Sequence, residues 1–325
     1  MQKFRLLEEK RPFSIMQGEV KCTIWLRQLE AIIDFSDVHA GQRGGWLEEE
    51  NLLSQAGDCW VYDQNSILYG GARVIRNARV TGECVIGQGA VIDNHALVDA
   101  SHITHYAYIG DRATVRASQV RGQCRVTGVA RISDCRIVAR RGLTADCHQQ
   151  LRIADRASVH ASRIMHQAQI TDSALVSYAF IEHRACVCGH AVIEGNEEND
   201  VWLCDQAWVG CRARIVAGRG EGHSPTLRYS SWVGGNALIE GECLLKHRVR
   251  VEGNAVLTGG PLLLDDRVCI DGHARVVGNV LIEHQVRLTD DVSVEAREGE
   301  SIHIFGDKTI SGDRHITRMP YYGLC

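Results

Sequence analysis

Between residues 73 and 98 the aliphatic side chains Val74, Val80, Ile86, Ile92 and Val98 fall one every six positions. That period fits neither a helical face, which returns every 3.6 residues, nor a half-buried strand, which alternates every two. It is a repeat of the sequence itself. Ala78, Cys84, Ala90 and Ala96 each stand four positions after one of the first four aliphatics, so the unit is aliphatic-x-x-x-small-x.

Past Val98 the aliphatics continue at Ile103, Ile109, Val115, Val120, Val126, Ile132 and Ile137, and steps of six, six and five close a cycle of 17 residues. The beat resumes at Ile153, Val159, Ile164, Ile170, Val176, Ile181, Val187 and Ile193. Three steps per cycle predict three sides per coil. The expected fold is all-β: a single-stranded parallel β-helix, a triangular prism of about 17 residues per coil, whose coils stack about 4.8 Å apart. On the two longer sides the small slot holds residues such as Ala107, Ala113, Ala157 and Ala174, while on the shortened side that offset holds His102, Gln119, Arg136, Arg163 and Phe180. The short corner is therefore expected to have a different geometry.

Open ends of such a stack expose strand edges and need covering. Residues 1–58 lack the six-residue period and are expected to form an N-terminal cap, 59–295 the β-helix and 296–325 a C-terminal cap. Within the first, "VKCTIWLRQLEAIIDF" reads as mostly strand, ended by a glycine-rich turn at Gly41 to Gly45. Three excursions interrupt the coils, at 138–152, 194–202 and 217–231. In the first, Leu143 and Cys147 fit one repeat unit. After the others the beat returns at Leu203, Val209 and Ile215, then Val233, Ile239 and Leu244, and more loosely at Val251, Leu257, Leu262, Ile270, Val276 and Leu281. Loops are the expected carriers of function, because coil residues are occupied with packing.

Composition narrows the class. With 45% hydrophobic and 23% charged residues the chain is globular rather than disordered. A formal charge of −4 gives no reason to expect nucleic acid as a partner, although 31 of the 36 basic residues are Arg. No stretch has the apolar core of a signal peptide or the length of a membrane span, so a cytoplasmic protein without a membrane partner is expected. Thirteen Cys is an odd number, and Cys84, Cys124, Cys147 and Cys243 occupy the small slot, which makes them compact buried residues rather than disulfide partners. The "CVC" at Cys186 and Cys188 lacks structural-zinc spacing, and no metal is expected.

"CVIGQGAVIDNHALV" resembles the hexapeptide repeat of left-handed parallel β-helix acyltransferases, and the resemblance covers roughly residues 60 to 295. The whole chain, including "AGQRGGWLEEENLL" and "CWVYD", is similar to the YdcK group classed as acetyltransferases. The resemblance implies a left-handed coil and acetyl-CoA as co-substrate. It further implies transfer of the acetyl group to the hydroxyl or amine of a small-molecule acceptor, with a His as general base in a cleft between subunits of a homotrimer. Most coils here have 17 residues, one fewer than three uniform hexapeptides.

Acetyl transfer needs a base for the acceptor proton and donors for the developing oxyanion. His166 and His183 are 17 apart, each two residues after an aliphatic of the same side, and should stack at one outer corner with Glu182 nearby. They read either as a base with a tuning neighbour or as solvated corner residues. The second candidate base is His223 in "GRGEGHSP", where Gly220 and Gly222 let a backbone approach a ligand and Arg219 suits a phosphate. The bland alternative is a surface loop. Arg73, Arg79, Arg125, Arg131 and Arg275 precede core aliphatics and should point outward, to coenzyme phosphates or to solvent. Trp202, Trp208 and Trp232 cluster around the excursions as a binding wall or as loop packing. The function from another class that fits the same repeat is a non-catalytic β-helical scaffold or assembly protein.

Overall fold

A computed structural model of the chain describes residues 2–17, 20–140 and 149–317. It divides into two compact units, residues 1–156 and 157–325. Both are β-solenoids of parallel coils. No α-helix occurs among the described residues, and none is therefore long and apolar enough to cross a membrane.

In the first unit the register of the parallel strands follows the aliphatic beat. Val80, Val98, Val115 and Ile132 stack as one ladder. Ile86, Ile103, Val120 and Ile137 form a second. Val74, Ile92, Ile109, Val126 and Ile153 form a third. Every one of these side chains is buried, each worth roughly 1.5–3 kcal/mol relative to exposure. Val80 and Val98 are 18 apart, whereas Val98 and Val115, and Val115 and Ile132, are 17 apart. Arg125 pairs with Arg152, so the excursion after Ile137 adds ten residues to one coil without disturbing the third ladder. Leu143 and Cys147 lie outside the described residues.

The small slot behaves differently at the two kinds of corner. At long corners Ala96 and Ala113 are fully buried beneath Asn94 and Asp111, which hold left-handed φ values of 56° and 59°. At the short corner His102, Gln119 and Arg136 are exposed. The slot there belongs one residue earlier, to Ser101, Ser118 and Cys135, at 1%, 5% and 4% exposure. The missing residue leaves an N–H of the next coil with no carbonyl opposite, and a hydroxyl accepts it instead. Ser118 N donates to Ser101 Oγ at 3.1 Å and Cys135 N to Ser118 Oγ at 3.0 Å, while Ser101 Oγ donates to Asp99 O at 2.6 Å.

At the N-terminus β1 (Phe4–Gln17) and β2 (Val20–Ala31) form an antiparallel hairpin. Its Ile15 and Leu26 are buried with Ile67 and Tyr69. β2 pairs antiparallel with β3 (Arg43–Leu47), and β3 pairs parallel with Ile67–Leu68. Parallel stacking thus starts at Trp46, ahead of the six-residue period. The expected turn at Gly41 to Gly45 is a turn only at Gly41, whose φ is 87°, because Gly44 and Gly45 lie inside β3. There a Cβ would sit 2.5 Å from Val61 O at Gly44 and 2.6 Å from Ser66 O at Gly45. These glycines permit close backbone approach rather than a turn. Lys3, 3% exposed, donates from Nζ to the carbonyls of Gly57 and Cys59, both at 2.9 Å, and so ties β1 to the following coil.

The second unit repeats the three ladders. The first runs through Val159, Val176, Ile193, Ile215, Ile239, Leu257, Val276 and Val294. The second runs through Ile164, Ile181, Leu203, Leu227, Leu245, Leu264, Ile282 and Ile304. The third runs through Ile170, Val187, Val209, Val233, Val251, Ile270, Leu288 and Ile310. Three expected beat positions are corrected: Leu245, Leu264 and Ile282 hold the ladder, while Leu244 and Leu281 are half-exposed and Leu262, though buried, pairs with Cys243 outside it. In a run such as Leu244–Leu245 hydrophobicity does not mark the inward residue, and a slip of one flips the side chain to the other face. Parallel pairing continues through the tail, where Ser293 stacks on His315.

Candidate functional site

The corner between the second and third ladders of the second unit carries the densest chemistry. The residue two places after each second-ladder aliphatic from Ile164 to Ile282 turns the chain there: His166, His183, Asp205, Tyr229, His247, Asp266 and His284. Their φ values run from 45° to 61°. His and Asp are among the non-glycine residues that tolerate this left-handed conformation best. The coil stacking then brings their side chains into a column. His166 and His183 stack with ring centroids 4.8 Å apart and planes 5° apart, which is the juxtaposition their spacing predicts. Tyr229 and His247 stack at 4.1 Å and 18°.

The column also hydrogen-bonds along its length. His183 N donates to His166 Nδ1 at 3.3 Å, Asp205 N to His183 Nδ1 at 3.4 Å and Tyr229 N to Asp205 Oδ2 at 3.1 Å. A neutral imidazole that accepts at Nδ1 carries its hydrogen on Nε2, so these hydrogen bonds assign the Nε2–H tautomer to both rings. In that form each offers solvent a donor rather than a base lone pair. Glu182 flanks the pair: Trp202 Nε1 donates to its Oε1 at 3.1 Å, and its Oε2 lies 3.8 Å from His166 Nδ1. The other members of the column, from Asp205 to His284, escape sequence reading. Their signal is the offset of two from a ladder residue, and misplacing the beat at Leu244, Leu262 and Leu281 hides His247, Asp266 and His284.

His223 lies elsewhere, at the short corner between the first and second ladders, and the structure does not bring it to the His166/His183 pair. The excursions 194–202 and 217–231 form one structure there. Asn199, only 3% exposed, donates from Nδ2 to Gly218 O at 3.2 Å and Gly220 O at 2.8 Å, and Asn196 Nδ2 donates to Gly218 O at 3.0 Å. Gly218 N donates to His223 O at 2.9 Å and closes the loop. A Cβ on Gly218 would come within 2.8 Å of His223 Nδ1, so glycine is required for the imidazole to lie where it does. Gly220 and Gly222 hold φ values of 107° and 81°, and both are exposed together with Arg219. Among the described residues the N–H groups of Arg219, Gly220, Glu221 and Gly222 donate to nothing, and the His223 ring makes no hydrogen bond. The loop therefore combines a half-buried imidazole with unoccupied nitrogens, a run of available amides and a guanidinium.

The tryptophans divide between two faces. Trp208 and Trp232 stack at 4.6 Å and 3° on the outside of the third ladder, with Arg250 Cζ 4.7 Å from the Trp232 ring centre. Trp202 stacks on Phe180 at 6.1 Å on the outside of the second. The outward Arg residues are exposed as expected, but two have partners in the chain. Arg79 pairs with Asp37 and lies 4.8 Å from the Tyr62 ring centre, and Arg125 lies 4.6 Å from that of Tyr108.

No protein-family model matches the chain. It is 50% identical to the uncharacterized acetyltransferase YdcK of Escherichia coli (strain K12) over 325 residues, the full length of both proteins. With half of its residues shared end to end, the chain belongs to the YdcK family.

Proposed function

We propose that the protein transfers an acetyl group from acetyl-CoA to the hydroxyl or amine of a small-molecule acceptor, as a homotrimer, with His223 as general base. The observation that carries the reading is the glycine loop beside a full-length relationship to a protein named as an acetyltransferase. His223 has no hydrogen bond to give up before accepting a proton, unlike His166 and His183, whose Nδ1 atoms take the next coil's N–H. The amides of Gly220 and Gly222 suit the negative charge that develops on the carbonyl oxygen under attack. The loop fits a coenzyme: its glycines leave the backbone bare, and Arg219 is free to meet a phosphate. Acetyl-CoA, when bound, supplies an activated thioester. This chain's part is to position the acceptor, remove its proton at His223 Nε2 or Nδ1 and hold the oxyanion.

Calorimetric titration of acetyl-CoA, with free coenzyme A as control, is expected to give saturable binding near or below about 1 mM. In an acceptor screen His223→Ala is expected to lower the turnover number by about 10²–10⁴ with little change in coenzyme affinity. If His223→Ala and the His166→Ala/His183→Ala double variant both keep full rate, His has no role as base. An absence of heat and of thermal shift favours the scaffold function instead.

A further inference from the structure

The acetyl-transfer reading leaves His166, Glu182 and His183 without a task. We propose that this corner binds one divalent transition-metal ion, of the zinc, cobalt or nickel class, through two imidazoles and a carboxylate. The ligand-type atoms of the three residues all lie within 4.8 Å of one another. Tetrahedral coordination with bonds of about 2.0–2.2 Å places ligand atoms roughly 3.3–3.6 Å apart, so the cluster must contract by an ångström or so. The His166 and His183 side chains, 25% and 49% exposed, have room to turn for this. Among the contacts they give up are two N–H···N contacts of 3.3 and 3.4 Å, at the long end of hydrogen bonding.

Three further features suit an ion here. Glu182 is oriented by the Trp202 indole N–H, the kind of outer partner that fixes a metal ligand, and this leaves Oε2 directed at His166. Asp205 Oδ1, outside that three-residue cluster, lies 3.5 Å from His183 Nδ1 as a flanking carboxylate. The ion-pair partners of both carboxylates among the described residues are these histidines, with no Lys or Arg salt bridge to either. The corner holds two carboxylates, at 13% and 33% exposure, and the Arg228 guanidinium of the neighbouring coil acts on Asp205 electrostatically rather than through a salt bridge. Nitrogen and carboxylate donors select ions of the zinc class rather than calcium or copper(I). These ligands come from two coils and so share no short sequence spacing of the zinc-finger kind.

The test is a titration of cobalt(II) into metal-free, tag-free full-length protein, read as visible d–d absorption. One equivalent is expected to saturate, without the near-ultraviolet thiolate charge-transfer band that the cysteines would give. His166→Ala/His183→Ala should weaken binding at least 100-fold, and Glu182→Gln, which preserves shape and the indole contact, at least tenfold. Circular dichroism melting confirms that each variant is folded. His223→Ala should titrate like the parent, so this result does not depend on whether the protein transfers acetyl groups. The proposal is overturned if there is no saturable absorption at one equivalent, if a thiolate band dominates, or if folded Glu182→Gln titrates like the parent.

Discussion

Ser118 is a buried hydroxyl in a core of aliphatics, and it is there because a five-residue step has too little chain to present a carbonyl to every N–H. Its Oγ donates to Arg116 O at 2.6 Å and accepts from Cys135 N at 3.0 Å. Ser118→Ala removes both contacts, and with them the hydroxyl that receives the buried Cys135 amide. The expected loss is about 1–3 kcal/mol in urea unfolding. Ser118→Cys should cost less, since Cys135 serves one coil later by donating from Sγ to Ser133 O at 3.0 Å. A Ser118→Ala variant as stable as the parent would mean that the hydroxyl ladder is incidental to the short corner. The aliphatic beat makes the existence of this corner legible at Val115 and Val120. It does not reveal the serines, because a template built on the six-residue step looks for the small residue one position too late.

At the scale of elements, insertions entering a coil at one corner leave the ladders untouched. Phe180 and Trp202 are stacked partners although 22 residues apart, and Trp202 and Thr226 although 24 apart. The excursions are legible as interruptions of the beat. Their union is not, because it rests on Asn196 and Asn199 reaching carbonyls of a loop about twenty residues away, a contact with no periodicity to betray it. Asn199→Ala abolishes the bonds to Gly218 O and Gly220 O, together worth about 2 kcal/mol of local stability. Limited trypsin cleavage after Arg219 should then accelerate by roughly tenfold or more, with the global melting temperature nearly unchanged. Equal cleavage rates in parent and variant would show that the loop holds its shape without the asparagine. If the loop is the catalytic one, the same variant should also raise KM for acetyl-CoA.

For the molecule as a whole, the question is how a convex corner can host chemistry. In one chain Arg219, Gly220 and Gly222 are exposed, whereas acetyl transfer in place of thioester hydrolysis requires that water be kept from the reacting carbonyl. Ligand sites are usually concave and cover most of a ligand's surface. A single loop at a coil corner offers one wall, and an enclosed site needs a second. The homotrimer proposed above supplies it. Light scattering is therefore expected to return three times the 36.0 kDa chain mass, independent of concentration over the micromolar range. A mass of one chain under those conditions would leave His223 and its amides open to bulk water. That result would count against acetyl transfer at this loop more heavily than loss of any one side chain, because it would remove the enclosure every step depends on.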